Sequence, residues 1–201
     1  MIVALVLAGC AGPGTGPTPG ASPAGPLTPS ASPAPGRMVR TAGCAAATSP
    51  PAMTVDGTPQ PANQEYLDGV AGRLRPFARA HFAGVYSGLE LRSAQNRLRV
   101  WRKPSAAFDA WMLREFKSEC IEAVDARHSE QELGALSNRI AADMQYWDKH
   151  GVPVSFFSAE GDGSAVEVGT TDVARTKREF TLRYGAAAPL RFVYGKPPQP
   201  L

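Results

Sequence analysis

Residues 82–127 read FAGVYSGLELRSAQNRLRVWRKPSAAFDAWMLREFKSECIEAVDAR, and the fold class follows from the order of patterns inside them. Phe82–Leu91 reads as a strand, Ser93–Asn96 as a turn and Arg97–Lys103 as a second strand, together a hairpin. Pro104-Ser105 then opens a helix running to Lys117, on which Phe108, Trp111, Met112, Leu113 and Phe116 build an apolar face. Ile121–Arg127 alternates apolar with polar and fits a third strand.

The same order returns downstream. Val152–Ser158 reads as a strand, Glu160-Gly161-Asp162-Gly163 as a turn and Ser164–Thr170 as a strand with regular alternation. Asp172 caps a helix to Tyr184, and Pro189–Tyr194 makes a last strand. Val100 and Val168 fall at matching places before the two helices, which suggests an internal duplication. A long helix from Ser129 to His150 joins the halves. Ser129 with Glu132 forms a capping-box pattern, Leu133, Leu136, Ile140, Met144 and Trp147 make one stripe, and Gly151 and Pro153 end it. Upstream, Glu65–His81 places Leu67, Val70, Leu74, Phe77 and Ala78 at helical spacing, weakened by Gly69, Gly72 and Pro76. The expected fold is α+β: a mixed, largely antiparallel sheet with helices on one face and the other face partly open to solvent.

Composition divides the 201 residues, which include 19 Pro and 20 Gly. Residues 11–63 consist mostly of Ala, Gly, Pro, Ser and Thr and cannot bury enough apolar surface to offset the entropy of ordering. They are expected to be a disordered tether spanning roughly 40 Å root-mean-square. Residues 64–196 hold nearly all the aromatic, branched and charged side chains and suit one domain with one core. Residues 197–201 are a frayed tail. The net charge of +3 points neither to nucleic acid nor to an acidic substrate.

At the start, Leu7-Ala8-Gly9-Cys10 closes an apolar run from Ile2 and resembles a bacterial lipobox. That run is shorter than the about 20 residues needed to span a bilayer and suits the core of an export signal. The resemblance implies a diacylglycerol thioether on Cys10 and lipid anchoring at the extracytoplasmic face of the cell membrane, with palmitate-type chains stabilising attachment by roughly 0.8 kcal/mol per buried CH2. One departure is that no Lys or Arg precedes Arg37. The alternative is an ordinary secretory signal with an incidental cysteine. Of the other two cysteines, Cys44 lies in the tether and Cys120 at a helix end. In an oxidising exterior the two are candidates for a disulfide; otherwise Cys120 is a small buried hydrophobe and Cys44 an idle thiol.

Candidate chemistry is sparse. His81, His128 and His150 stand apart, with neither HExxH spacing nor a cysteine partner, and Gly84-Val85-Tyr86-Ser87-Gly88 is not a nucleophile elbow. Glu160, Asp162 and Glu167 cluster at the second hairpin, where a tight turn explains the neighbouring glycines more simply than a cation or a carboxylate pair does. No cofactor, metal or catalytic set is expected, and the chain is read as a binding module rather than an enzyme. The strongest surface candidate is Arg97, Arg99, Trp101 and Lys103, which alternate with Leu98 and Val100 and so share one side of a strand. This basic, aromatic stripe suits an anionic wall polymer, lipid headgroups or a protein carboxylate; alternatively a helix covers Trp101 and the arginines are solvated at its rim.

From about Tyr66 to Pro197 the layout is similar to the propeptide-like domains ahead of secreted chymotrypsin-type serine proteases of actinobacteria. The likeness rests on FAGVYSG, SAVEVGTTD and RYGAAAPLRFVYGKPP. It implies a folding aid or inhibitor, exercised here in trans. Three functions follow as expectations: a lipid-anchored envelope module binding a secreted protein or cell-wall polymer, an orphan propeptide-like inhibitor or chaperone, and an envelope hydrolase.

Overall fold

A computed structural model gives the three-dimensional structure, with residues 38–195 described. The expected lipobox with Cys10, the expected tether up to residue 37 and the expected tail lie outside the described residues. In chain order the elements are β1 (Val39–Arg40), a 3-10 turn (Ala42–Ala45), β2 (Ala52–Val55), β3 (Thr58–Pro61), α1 (Gln64–His81), β4 (Tyr86–Arg92), β5 (Arg97–Arg102), α2 (Ala106–Glu115), β6 (Ile121–Asp125), α3 (Glu130–Ala142), α4 (Met144–Lys149), β7 (Phe156–Ala159), β8 (Val166–Thr170), α5 (Val173–Tyr184) and β9 (Leu190–Tyr194). A second short 3-10 turn, Ser93–Gln95, links β4 to β5.

The α+β class holds, and the strands form two principal sheets rather than one. The first has the order β1-β6-β5-β4, the second β7-β8-β9, and β2 with β3 makes a separate hairpin. Within each sheet the repeat is complete in its pairing. β4 runs antiparallel to β5 and β5 parallel to β6; β7 runs antiparallel to β8 and β8 parallel to β9. A helix forms each parallel crossover, as such a connection requires: α2 after β5 and α5 after β8. Each is capped alike, with Ser105 accepting from the Phe108 amide and Asp172 from the Arg175 amide.

Alternation along the central strands sets which face each sheet buries. Leu98 and Val100 are fully buried with Ile121 and Ala123, against Leu67, Val70, Leu74, Phe108 and Met112 of α1 and α2. Val166 and Val168 are buried against Leu133, Ile140, Trp147 and Phe180. Each such side chain contributes roughly 1.5 to 3 kcal/mol on leaving water. In the second core Trp147 stacks on Phe180 with centroids 4.5 Å apart. The two cores are separate clusters, each formed between one sheet and the helices packed on it.

Two expectations are corrected. The tether does not reach residue 63, because β1 pairs antiparallel with β6 and Thr41, almost wholly buried, accepts from the Ile121 amide and donates to the Glu119 carbonyl. Cys44 and Cys120 are joined as a disulfide across this seam. Further along, β2 and β3 close through Asp56-Gly57, both at positive φ (49° and 79°), the two-residue hairpin turn that Asp-Gly favours. The long joining helix also breaks, at Asp143. That carboxylate accepts from the Arg183 guanidinium at 2.7 Å and from the Tyr184 hydroxyl at 2.8 Å, so α4 turns to pack Trp147 on α5. At the start of α3 the capping box of Ser129 and Glu132 is complete in both directions.

Candidate functional site

The face of the first sheet turned away from α1 and α2 carries the side chains that alternate with the core. On β5 these are Arg97, Arg99 and Trp101; register places Glu90 and Glu122 on either side of Arg99, and Gly88 and Val124 on either side of Trp101. Arg92 faces Arg97, and Arg40 of β1 faces Glu122. Trp101 is half-buried.

Glu122 is the centre of this face. It is 1% exposed and its carboxylate meets three guanidiniums, Arg97 at 2.7 Å, Arg40 at 3.2 Å and Arg99 at 3.6 Å. A buried carboxylate without partners is costly, and here β1 and β5 supply its partners jointly. Arg92 pairs with Glu90 at 3.1 Å. Four guanidiniums therefore face two carboxylates, and two positive charges are left over. The Arg97 and Arg99 side chains keep 31% and 25% of their surface open. Arg99 Nε is buried and has no hydrogen-bond partner among the described residues. Chemically the face can present planar, bidentate donors to carboxylate or phosphate groups, with an indole beside them.

Lys103, expected on the same stripe, is engaged elsewhere. Its ammonium lies 2.6 Å from Glu132 at the start of α3. Burial works to raise the Glu132 pKa, but the Lys103 ammonium and the Ser129 amide outweigh it and hold it below the usual carboxylate range. Lys103 thus ties the first sheet to the joining helix. Arg79 of α1 does the same through Glu130 at 2.5 Å.

The other polar feature of the first half lies on the inner face. Arg102, 1% exposed, donates to Asp109 of α2 through Nε and Nη2 (2.7 and 3.0 Å) and to Asp125 of β6 through Nη1. Burial alone would lower its pKa, and the two carboxylates reverse this and raise it. The trio borders a groove of about 480 Å³ walled by Val39, Pro104, Ala106, Ala110 and Leu113. The matching place in the second half holds a neutral pair, Thr170 and Thr176, 2.8 Å apart and fully buried.

The histidines stay apart. His150 Nδ1 lies 2.7 Å from the Tyr146 carbonyl, His81 packs on Phe77, and His128 lies 3.9 Å from Glu132. Among the described residues no group of three or more His, Cys, Asp or Glu gathers as metal ligands. The acidic turn after β7 is accounted for locally: Glu160 accepts from Arg191, Asp162 accepts from the Ser164 amide, and Gly163 stands at a φ of 71°.

Sequence reasoning singled out Arg97, Arg99 and Trp101 but not Arg40, Arg92 or Glu122. Glu122 stands in Ile121-Glu122-Ala123, where alternation assigns it to the open face; nothing local to the sequence says that three arginines close over it. No known protein-family model matches this chain, and no curated protein matches it.

Proposed function

We propose that this chain is a membrane-anchored lipoprotein of the cell envelope whose α+β domain binds an anionic protein surface or wall polymer without catalysis. The observation that carries the binding part is the open sheet face, where Arg40, Arg92, Arg97 and Arg99 outnumber Glu90 and Glu122 and Arg99 keeps an unmet donor. Surplus charge on a sheet face, with Arg97 and Arg99 still partly exposed, is surface available for contact. The anchor is supported by Leu7-Ala8-Gly9-Cys10 alone.

Two measurements test the reading. Radiolabelled palmitate is expected on the chain in a host that processes such precursors, and its absence, with localisation unmoved by Cys10→Ser, overturns the anchor. Poly-L-glutamate is the probe for the face. Binding is expected to weaken at least tenfold in Arg97→Glu/Arg99→Glu and to fall with salt; equal binding by wild type and variant, or hydrolysis of a wall or peptide substrate at an enzyme-like rate, overturns it.

A second reading is an inhibitor or chaperone of a secreted serine protease, acting in trans. It is favoured by where the resembling motifs fall: FAGVYSG leads into β4, SAVEVGTTD spans β8 and the α5 cap, and RYGAAAPLRFVYG runs from α5 through β9, all within the repeated unit. Adding the chain to proteases secreted by the same organism is expected to inhibit one of them or speed its refolding; neither effect discards this reading.

A further inference from the structure

The two halves repeat one topology, and their open faces carry opposite charge at matching positions. In the first sheet the row across β4, β5 and β6 is Glu90, Arg99, Glu122; in the second, the row across β7, β8 and β9 is Ser158, Glu167, Arg191. Where the first half has an arginine on the central strand and a carboxylate beside it, the second has the reverse. Arg191 lies 2.7 Å from Glu160 and 2.8 Å from Glu167, with the Asp162 carboxylate also raising its pKa. Three carboxylates against one guanidinium leave two negative charges, matching the two positive charges left on the first face. The next row is exchanged as well. Gly88, Trp101 and Val124 lie across the first sheet, and Phe156, Gly169 and Val193 across the second. The aromatic ring sits on the central strand in one and on the neighbouring strand in the other, and Phe156 is 40% exposed.

We infer that the partner of the arginine face is the carboxylate face of a second copy of this chain, giving head-to-tail association. The inference rests on reading the arginine face as a binding surface and names its occupant. Sheet faces of opposite surplus charge pack without the like-charge penalty that would meet either face against itself. A pairing of two different faces is heterologous, so it builds open chains or rings rather than a closed two-fold dimer. Three or four strands about 4.8 Å apart and five residues about 3.3 Å apart give each face on the order of 300 Å², well under the roughly 800 Å² a side of a tight complex. The contact is therefore weak, with a dissociation constant on the order of 0.1 mM, and salt-sensitive.

Sedimentation velocity on the full chain carrying Cys10→Ser, up to 1 mM, is the test. Species larger than a monomer are expected in 50 mM NaCl, with the dissociation constant at least tenfold weaker in 500 mM. Arg92→Glu/Arg97→Glu is expected to be monomeric, as is Glu160→Lys/Glu167→Lys; an equimolar mixture of the two is expected to associate again, because each then offers the face the other needs. Arg92→Glu alone, which spares the pairing with Glu122, is expected to weaken association at least fivefold with an unchanged circular dichroism spectrum. A monomeric wild type in low salt, association retained in either double variant, or a mixture that stays monomeric overturns the inference. Binding of poly-L-glutamate by the same samples separates the two claims: a monomeric wild type that still binds this probe through Arg97 and Arg99 sinks the self-pairing and leaves the binding face standing.

Discussion

Arg102 shows how one residue reconciles a charge with a core. Its guanidinium is deeply buried and satisfied by Asp109 and Asp125, so removing it strands two carboxylates in a poorly solvated place. Breaking a buried pair from one side costs about 3 to 5 kcal/mol, and the partial exposure of Asp109 moves the figure to the lower end. Arg102→Met is expected to lose about 3 kcal/mol at pH 7 in urea unfolding. Asp143 offers a titration. The hydrogen bonds from Arg183 and then Tyr184 hold its pKa at about 2 against an ordinary 3.8. A depressed carboxyl stabilises the fold above its unfolded pKa, and that contribution is lost as pH falls from about 4 through 2. Burial and the bond to Asp143 raise Tyr184 to about 12, so its contribution holds below pH 10 and fades between 10 and 12. Wild type and Asp143→Asn are expected to differ in urea midpoint at pH 6 and to converge near pH 2; a constant difference would contradict this assignment.

At the scale of elements, the two-residue strand β1 is the weakest piece holding the candidate face. It brings Arg40 to Glu122, and two backbone pairs with β6 are too few to hold it by themselves. Thr41 and the Cys44–Cys120 bridge complete the attachment. With a sequence separation of 76 residues, closing that loop in the unfolded chain stabilises the native state by about 4.5 kcal/mol in the chain-entropy model. Cys44→Ser/Cys120→Ser is expected to lose most of this in denaturant unfolding. The amides of Thr41 and Gly43 should lose hydrogen-exchange protection first, ahead of those of Val166 and Val168 in the other core. Early loss in the second core would show that the bridge acts on the whole fold instead.

Across the whole molecule, two small cores behave as one body only through their junction. Gly88 of β4 lies directly under the backbone of Gly161, so a Cβ there would collide with the Gly161 carbonyl. Nearby, the Ser87 hydroxyl donates to the His128 carbonyl at 2.5 Å and the His128 amide to the Gly163 carbonyl at 3.1 Å. Lys103–Glu132 and Arg79–Glu130 add two exposed ion pairs, worth a few tenths of a kcal/mol each. Gly88→Val is expected to destabilise by about 2 kcal/mol through overpacking. It should also split a single unfolding transition into two in calorimetry, because each half keeps its own core. A single transition shifted downwards would mean the halves are coupled elsewhere.

Sequence by itself determined the order of elements and the repeat. Hydrophobic period, caps and turn residues are local properties, and they placed α1, α2, α5 and the strands β4 to β9 close to where they lie; even Asp56-Gly57 was a readable hairpin signal, hidden by the tether-like composition around it. Alternation also put Arg97, Arg99 and Trp101 on one side of β5. Tertiary structure alone decided that the strands divide into two sheets, that β1 joins the first from within the supposed tether, that Asp143 breaks the joining helix, and that Arg40, Arg97 and Arg99 converge on Glu122 while Lys103 leaves for Glu132. Each of these depends on pairs of residues far apart in the chain, whose Coulomb and packing energies exist only once the backbone has brought them within a few ångströms.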